Sequence, residues 1–88
     1  MEAMTIETAI EAEAFERKIK AAFLRGERLS DEVCRERWHY TSFRSRLTAI
    51  RMQLELTFEN VPNRTHKGTH KEWFMTPEQI ERYNNRKQ

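Results

Sequence analysis

Four side chains have the chemistry to hold a metal ion or to support nucleophilic attack. They are Cys34, His39, His66 and His70, spaced as Cys-x4-His and His-x3-His. The second spacing suits zinc, but structural zinc sites commonly pair cysteines two to four residues apart, and this chain has one cysteine. A nucleophilic Cys34 would also need a base and an orienting group, and no Gly-rich phosphate loop occurs. The sequence therefore favours no metal, no cofactor and no enzymatic activity, and leaves Cys34 as a small core residue.

Polyanion binding is the chemistry that the basic residues predict. Segment 37–54 holds four arginines and no acid, and segment 64–71 holds five basic side chains and no acid. Arginine can bond guanine bidentately, short hydroxyl side chains let a helix enter a groove, and long cations suit phosphates. The candidate DNA-binding residues are Thr41, Ser42, Arg44, Ser45, Arg46, Thr48 and Arg51, followed by Arg64, His66, Lys67, His70 and Lys71. The alternative interpretation is that the first segment is an ordinary polar helix face and the second a solvated loop, neither of which binds a ligand.

The overall charge balance conceals an asymmetry along the chain. The formal net charge is +2, yet residues 1–16 contain five glutamates and no Lys or Arg. All sixteen Lys and Arg residues follow, against nine acids, and such a basic body attracts nucleic acid. The acidic residues 1–16 either shield the basic charge of residues 17–88 electrostatically or simply form a solvated start of a helix.

Length and cysteine usage predict the class of protein. The 88 residues suffice for one small domain over 1–88, with 1–9 as an acidic N-terminal extension and 84–88 as a frayed tail. The single cysteine, the acidic start and the lack of a long apolar segment predict a cytoplasmic protein with no membrane partner.

The candidate residues need helices and strands to position them. Thr8 with Glu11 has the pattern of a capping box, and Gly26 is placed to end that first helix in a left-handed turn. Its predicted core face is Ala12, Phe15, Ile19, Ala22 and Phe23, and the opposite side carries Ile6, Ile10 and Leu24. Ser30 predicts the start of a second helix, with Leu29 stapling onto Cys34.

The third helix is predicted over 42–54, with Thr41 as its N-cap. One face carries Phe43, Leu47, Ile50 and Leu54, and the other carries the hydroxyls and arginines. The pattern then alternates with period two up to Pro62, and the segment EWFMT reads as a return strand after a loop over 63–71 that contains Gly68. Thr76 and Gln79 predict a capping box for a last helix. The fold class is mainly α with a small β-hairpin (α+β): three helices, a hairpin and a C-terminal helix.

The segment HYTSFRSRLTAIR resembles the turn and third helix of winged helix-turn-helix proteins of bacteria and their phages. SDEVCRERW resembles their second helix, and RTHKGTHK followed by EWFMT resembles their wing and return strand. The resemblance covers residues 15–76 and departs at His39, where glycine is common. It implies a double-stranded DNA-binding transcriptional regulator, with helix 42–54 in the major groove and the 63–71 wing on the backbone. Because one such module offers limited contact area, a homodimer on two half-sites is the expected assembly, and for a phage protein the expected location is the host cytoplasm.

A second class of function stays open at this point. Small basic phage-type domains also bind a host protein to inhibit or redirect it, and a helix-turn-helix does not guarantee DNA binding. Met52, Ile6 and Ile10 are the residues expected to make such a contact.

Overall fold

The computed structural model describes residues 6–86, and for residues 6–11 the backbone alone. The elements are α1 (Ile6–Leu24), α2 (Asp31–Trp38), α3 (Phe43–Arg51), β1 (Thr57–Pro62), β2 (Thr69–Phe74) and α4 (Pro77–Arg86). They form a small α+β domain of four helices and one antiparallel hairpin, which confirms the predicted fold class and element order.

The core is built from the predicted apolar faces of α1 and the third helix. Buried side chains on these two segments are Ala12, Phe15, Ile19, Ala22, Phe23, Phe43, Leu47, Ile50 and Leu54. Trp73, Met75 and Tyr83 join the same cluster from the hairpin and α4. Because these later elements cover α1 as well, Leu24 packs half-buried against the cluster rather than pointing away from it.

The ends of α1 and α2 use left-handed residues, which the sequence predicted for Gly26. Gly26 has φ 84° after α1, and His39 has φ 56° after α2. Histidine tolerates this region better than most residues do, so it serves in the turn where glycine is common. The start of α1 lies at Ile6, inside the predicted 1–9 extension and ahead of the predicted cap at Thr8. The side chains of that capping box lie outside the described residues.

The third helix differs from the prediction at both of its ends. Ser30 is the N-cap of α2 as expected, with its hydroxyl accepting from the Val33 N–H at 3.2 Å. For α3, however, the cap is Ser42 rather than Thr41, and its side chain makes no capping hydrogen bond. The helix also ends at Arg51, three residues before the predicted limit, because Met52 caps it and Leu54 belongs to the following turn.

A third strand-like segment, which the sequence did not reveal, docks the hairpin. The Leu29 N–H donates to the Trp73 carbonyl at 2.8 Å, and the Trp73 N–H donates to the Leu29 carbonyl at 2.7 Å. β2 is therefore paired on both edges, with β1 on one side and the residue before the α2 cap on the other. The hairpin is therefore fixed to the helical core at its root.

The boundary of the predicted wing loop is also revised. β2 begins at Thr69, so His70 and Lys71 lie in the strand and the loop is 63–68. They are held there by pairing with Val61 and Asn60 of β1. Gly68 turns the tip with φ 106°, as its position predicted.

α4 begins with the predicted capping box. The Gln79 N–H donates to the Thr76 hydroxyl at 3.2 Å, and the Thr76 N–H donates to the Gln79 side-chain oxygen at 2.9 Å. The helix continues through Arg86, well into the segment 84–88 predicted as a frayed tail, because Tyr83 is buried against the core and anchors it. Lys87 and Gln88 lie outside the described residues.

Candidate nucleic-acid interface

The outward face of α3 is polar and open. Its core face is buried, whereas the candidates Thr41, Ser42, Arg44, Ser45 and Thr48 are all exposed. The Arg44 side chain is 87% exposed, and the first turn of the helix carries no acid. Short hydroxyl groups around one long arginine leave the helix narrow enough to approach a groove.

Arg46 does not belong to this face, contrary to the sequence prediction. One guanidinium nitrogen lies 3.1 Å from a carboxylate oxygen of Glu16, and the Arg46 side chain is 26% exposed. Its Nε is buried without a hydrogen-bond partner among the described residues. The position of Arg46 on α3 turns it toward α1, so it ties two helices together instead of flanking a groove.

Arg51 ends α3 on the side of the hairpin. It is exposed, and its guanidinium carbon lies 5.1 Å from the centre of the Trp73 ring. Such a cation–π contact positions the charge without neutralising it. Arg51 therefore remains a candidate for phosphate contact, at the junction between the helix and the sheet.

The candidates on the hairpin divide into exposed and partnered side chains. His66 and Lys67 are exposed in the tip loop, and Lys71 is exposed on β2. Arg64 is also exposed, but one of its nitrogens donates to both carboxylate oxygens of Glu36, at 2.9 and 2.7 Å.

His70 is the least exposed of the candidates on the hairpin. Its Nδ1 lies 2.8 Å from the Asn63 side-chain oxygen, and its Nε2 lies 3.8 Å from a Glu32 carboxylate oxygen. The Asn63 contact holds the ring at one nitrogen, and the other nitrogen faces Glu32 of α2, so His70 is turned toward the helices more than toward solvent.

Acids of α2 lie beside three of the predicted binding residues. Asp31 accepts from Arg44 at 3.0 Å, and the neighbours of His70 and Arg64 are Glu32 and Glu36. In the sequence, Asp31 and Glu32 only indicate a helix start, because an acid there favours the macrodipole. That the same acids face the wing depends on tertiary packing, so sequence reasoning missed it.

A cleft of about 670 Å³ lies between α2, α3 and the hairpin. Its charged lining is mixed, with Arg35, Arg44, His66, His70 and Lys71 beside Asp31 and Glu32. Asn60 also lines it, opposite Lys71 in the strand register. Arg35 and Asn60 were absent from the predicted site. The alternation of side chains along β1 places Asn60 on the same face as Phe58, and this pattern in the sequence could have identified Asn60 as a residue of the site.

Cys34 has the environment of an inert core thiol. It is fully buried, and burial raises the pKa of Cys34 from its ordinary value of 9.0 to about 12. A thiol that stays protonated is neither a nucleophile nor a ready metal ligand. Among the side chains that the structure describes, no group of three or more His, Cys, Asp or Glu is arranged to hold a metal ion.

Comparisons with known proteins add no assignment. No protein-family model, curated protein or solved structure matches this chain. In residues 6–86, no helix combines the length and apolar character that a membrane crossing requires.

Proposed function

We propose that this chain is a sequence-specific double-stranded DNA-binding protein, acting as a transcriptional regulator or in another DNA transaction of a bacterium or phage. α3 enters the major groove, with Arg44, Ser45 and Thr48 toward base edges. The hairpin tip lies on the phosphate backbone, with Lys67 as its leading cation.

The observation that carries this proposal is the composition of the exposed face of α3. Four exposed hydroxyl side chains surround one arginine that is 87% exposed, and no acid lies on the helix. A helix that served only to cover the core would have no need to exclude acids from its solvent face. Arginine on a major-groove helix can donate to O6 and N7 of one guanine.

The docked hairpin supports the same geometry. Leu29 and Trp73 fix its root, and the loop 63–68 lies beside α2, where Arg64 bonds Glu36 and His66 lines the cleft that α3 also borders. A cationic loop on this side of α3 adds phosphate contacts, which set affinity and register rather than sequence choice.

The acids of α2 affect how tightly the protein binds DNA, because they pair with two of the proposed contact residues. Asp31 and Glu36 hold Arg44 and Arg64 in the free protein, so DNA must replace these contacts with phosphate or base contacts. Exposed ion pairs of this type are worth only about 0.2–1 kcal/mol, so phosphates can displace them. Lys67, Lys71 and Arg51 form no ion pair within the described residues and supply the first contacts.

The test is fluorescence anisotropy with a labelled random duplex over a range of salt concentrations. We expect micromolar binding at about 50 mM salt, weakening linearly on a log–log plot with a slope near −0.9 for each phosphate contacted. Absence of binding at low salt, or affinity that ignores salt, would contradict the proposal. A dimer is expected to prefer two half-sites separated by a helical turn or a multiple of one.

A protein partner is the second candidate function, and Met52 favours it. Met52 is 87% exposed at the end of α3, and methionine suits adaptable protein contacts. Ile6 and Ile10, the other residues expected in that contact, have side chains outside the described residues. A pull-down from nuclease-treated host extract discriminates the two functions. Stoichiometric retention of one protein that Met52→Asp abolishes would favour the protein partner.

A further inference from the structure

Phe58 and Trp73 form an aromatic surface flanked by two cations, here called the platform. Their ring centres lie 5.1 Å apart with planes inclined by 48°. Lys71 Nζ lies 4.6 Å from the centre of the Phe58 ring, and the Arg51 guanidinium lies 5.1 Å from that of Trp73. Trp73 is buried, whereas Phe58 is 45% exposed. The platform thus presents one half-exposed phenyl ring, with Lys71 over it and Arg51 over the neighbouring Trp73 ring.

The platform differs electrostatically from the cleft beside it. In the cleft, Arg44 and His70 have an acid of α2 as neighbour, whereas Arg51 and Lys71 form no ion pair within the part of the chain that the structure describes. Lys71 and Trp73 also line the cleft, whereas Phe58 and Arg51 do not. The platform therefore extends from the cleft to the end of α3, and its two cations differ from Arg44 and His70 in having no acid of α2 as a partner.

We propose that the platform binds an unpaired nucleotide. The base stacks on Phe58, and Arg51 and Lys71 hold the phosphates on its two sides. This inference rests on the proposed nucleic-acid function and adds its preferred substrate: a duplex with a single-stranded end or gap. An aromatic ring with two cations close by matches the two parts of a nucleotide, because the base stacks and the phosphodiester is anionic.

The Lys71 ammonium must leave the Phe58 ring before a base can stack on it. In the free protein its ammonium group lies over Phe58, which partly shields the ring from water. An exposed cation–π contact is weaker than base stacking on an aromatic ring, and lysine has a long flexible stem. An incoming base therefore displaces the ammonium, which moves to the adjacent phosphate.

The experiment compares one duplex with blunt ends and the same duplex with a short single-stranded overhang, at one salt concentration. The proposal predicts about tenfold tighter binding of the overhang form. Phe58→Leu, which keeps an apolar side chain but no ring face, should remove that preference and leave blunt-duplex affinity unchanged. Phe58→Trp should retain the preference and serves as the matched variant if Phe58→Leu impairs folding. DNA and RNA overhangs on the same DNA duplex identify which unpaired nucleotide is preferred.

Each outcome is decisive. Equal affinity of the wild type for blunt and overhang forms overturns this inference and leaves the duplex-binding proposal standing. Binding to neither form overturns both. If sedimentation shows that Phe58→Leu converts a dimer to a monomer, a second copy of the chain covers Phe58 and the inference is likewise overturned.

Discussion

Leu29 and Trp73 exchange both of their backbone hydrogen bonds, at 2.8 and 2.7 Å. The pairing adds a single β-bridge to a two-stranded hairpin, which is marginal by itself in water, and so ties β2 to the chain before α2. The Trp73 ring also contacts the Phe58 ring and the Arg51 guanidinium. A single residue therefore connects the chain before α2, the hairpin and the end of α3.

The first prediction concerns Arg28, next to Leu29. Glu59 and Glu72 lie directly opposite each other in the hairpin register, and the Arg28 guanidinium donates to both. Like charges opposite each other destabilise a sheet, so Arg28→Ala should lower the free energy of unfolding by about 1 kcal/mol. Urea unfolding measures it.

Arg82→Ala is the matched control, because Arg82 forms a single exposed pair with Glu55. It should cost less than about 0.5 kcal/mol. Adding Glu59→Gln to Arg28→Ala should restore part of the lost stability. An Arg28→Ala variant no less stable than Arg82→Ala would show that the bridging contact is unimportant.

The second prediction contrasts two serine caps. Ser30 accepts the Val33 N–H, whereas the side chain of Ser42 makes no capping bond. Ser30→Ala should therefore cost about 1 kcal/mol, and Ser42→Ala only a few tenths. Thermal unfolding monitored by circular dichroism compares them. Equal losses would mean that the Ser42 hydroxyl also caps its helix in solution.

The helix caps are among the features that could be predicted from the sequence. Ser30, Gly26 and the Thr76–Gln79 box were predicted because capping depends on residues three or four apart. The pairing of Leu29 with Trp73 joins residues 44 apart in sequence, and nothing local marks it. The same limit applies to the site. The exposed face of α3 could be predicted from the helical period, but the orientation of Arg46 toward α1 could not. Its partner Glu16 lies on another helix.

The third prediction concerns the acids of α2. Glu36 holds Arg64 at the surface, so Glu36→Gln frees that cation and removes a charge that repels phosphate. Duplex affinity should rise about twofold to fivefold at low salt, and the gain should shrink as salt screens it.

Glu55→Gln is the control for this change, since Glu55 pairs with Arg82 on α4, a helix that carries none of the proposed DNA-binding residues. It removes the same charge without freeing a wing cation and should leave affinity nearly unchanged. Equal gains in both variants would mean that net charge alone controls binding.

The fourth prediction follows from the buried thiol. The pKa of Cys34 is raised to about 12 in the folded protein, whereas the unfolded chain loses this proton near 9.0. The contribution to stability is therefore complete below the unfolded value and declines as pH rises from there toward the folded value.

Cys34→Ala isolates that contribution. The fall in unfolding free energy between neutral pH and about pH 10 should be smaller in Cys34→Ala than in the wild type. Identical falls would contradict a raised pKa. In the native wild type, a thiol reagent should label Cys34 no faster than the protein opens.

The most direct test of the central claim asks whether the Arg44 guanidinium donates to guanine in the major groove. A preferred site is first selected from a random duplex pool, and each guanine in it is then replaced by 7-deazaguanine, which lacks the N7 acceptor. The account predicts that one such replacement weakens wild-type binding by about 10-fold and does not weaken Arg44→Ala further. Undiminished wild-type binding to every 7-deazaguanine duplex, together with loss of binding when a minor-groove ligand is added, would contradict it.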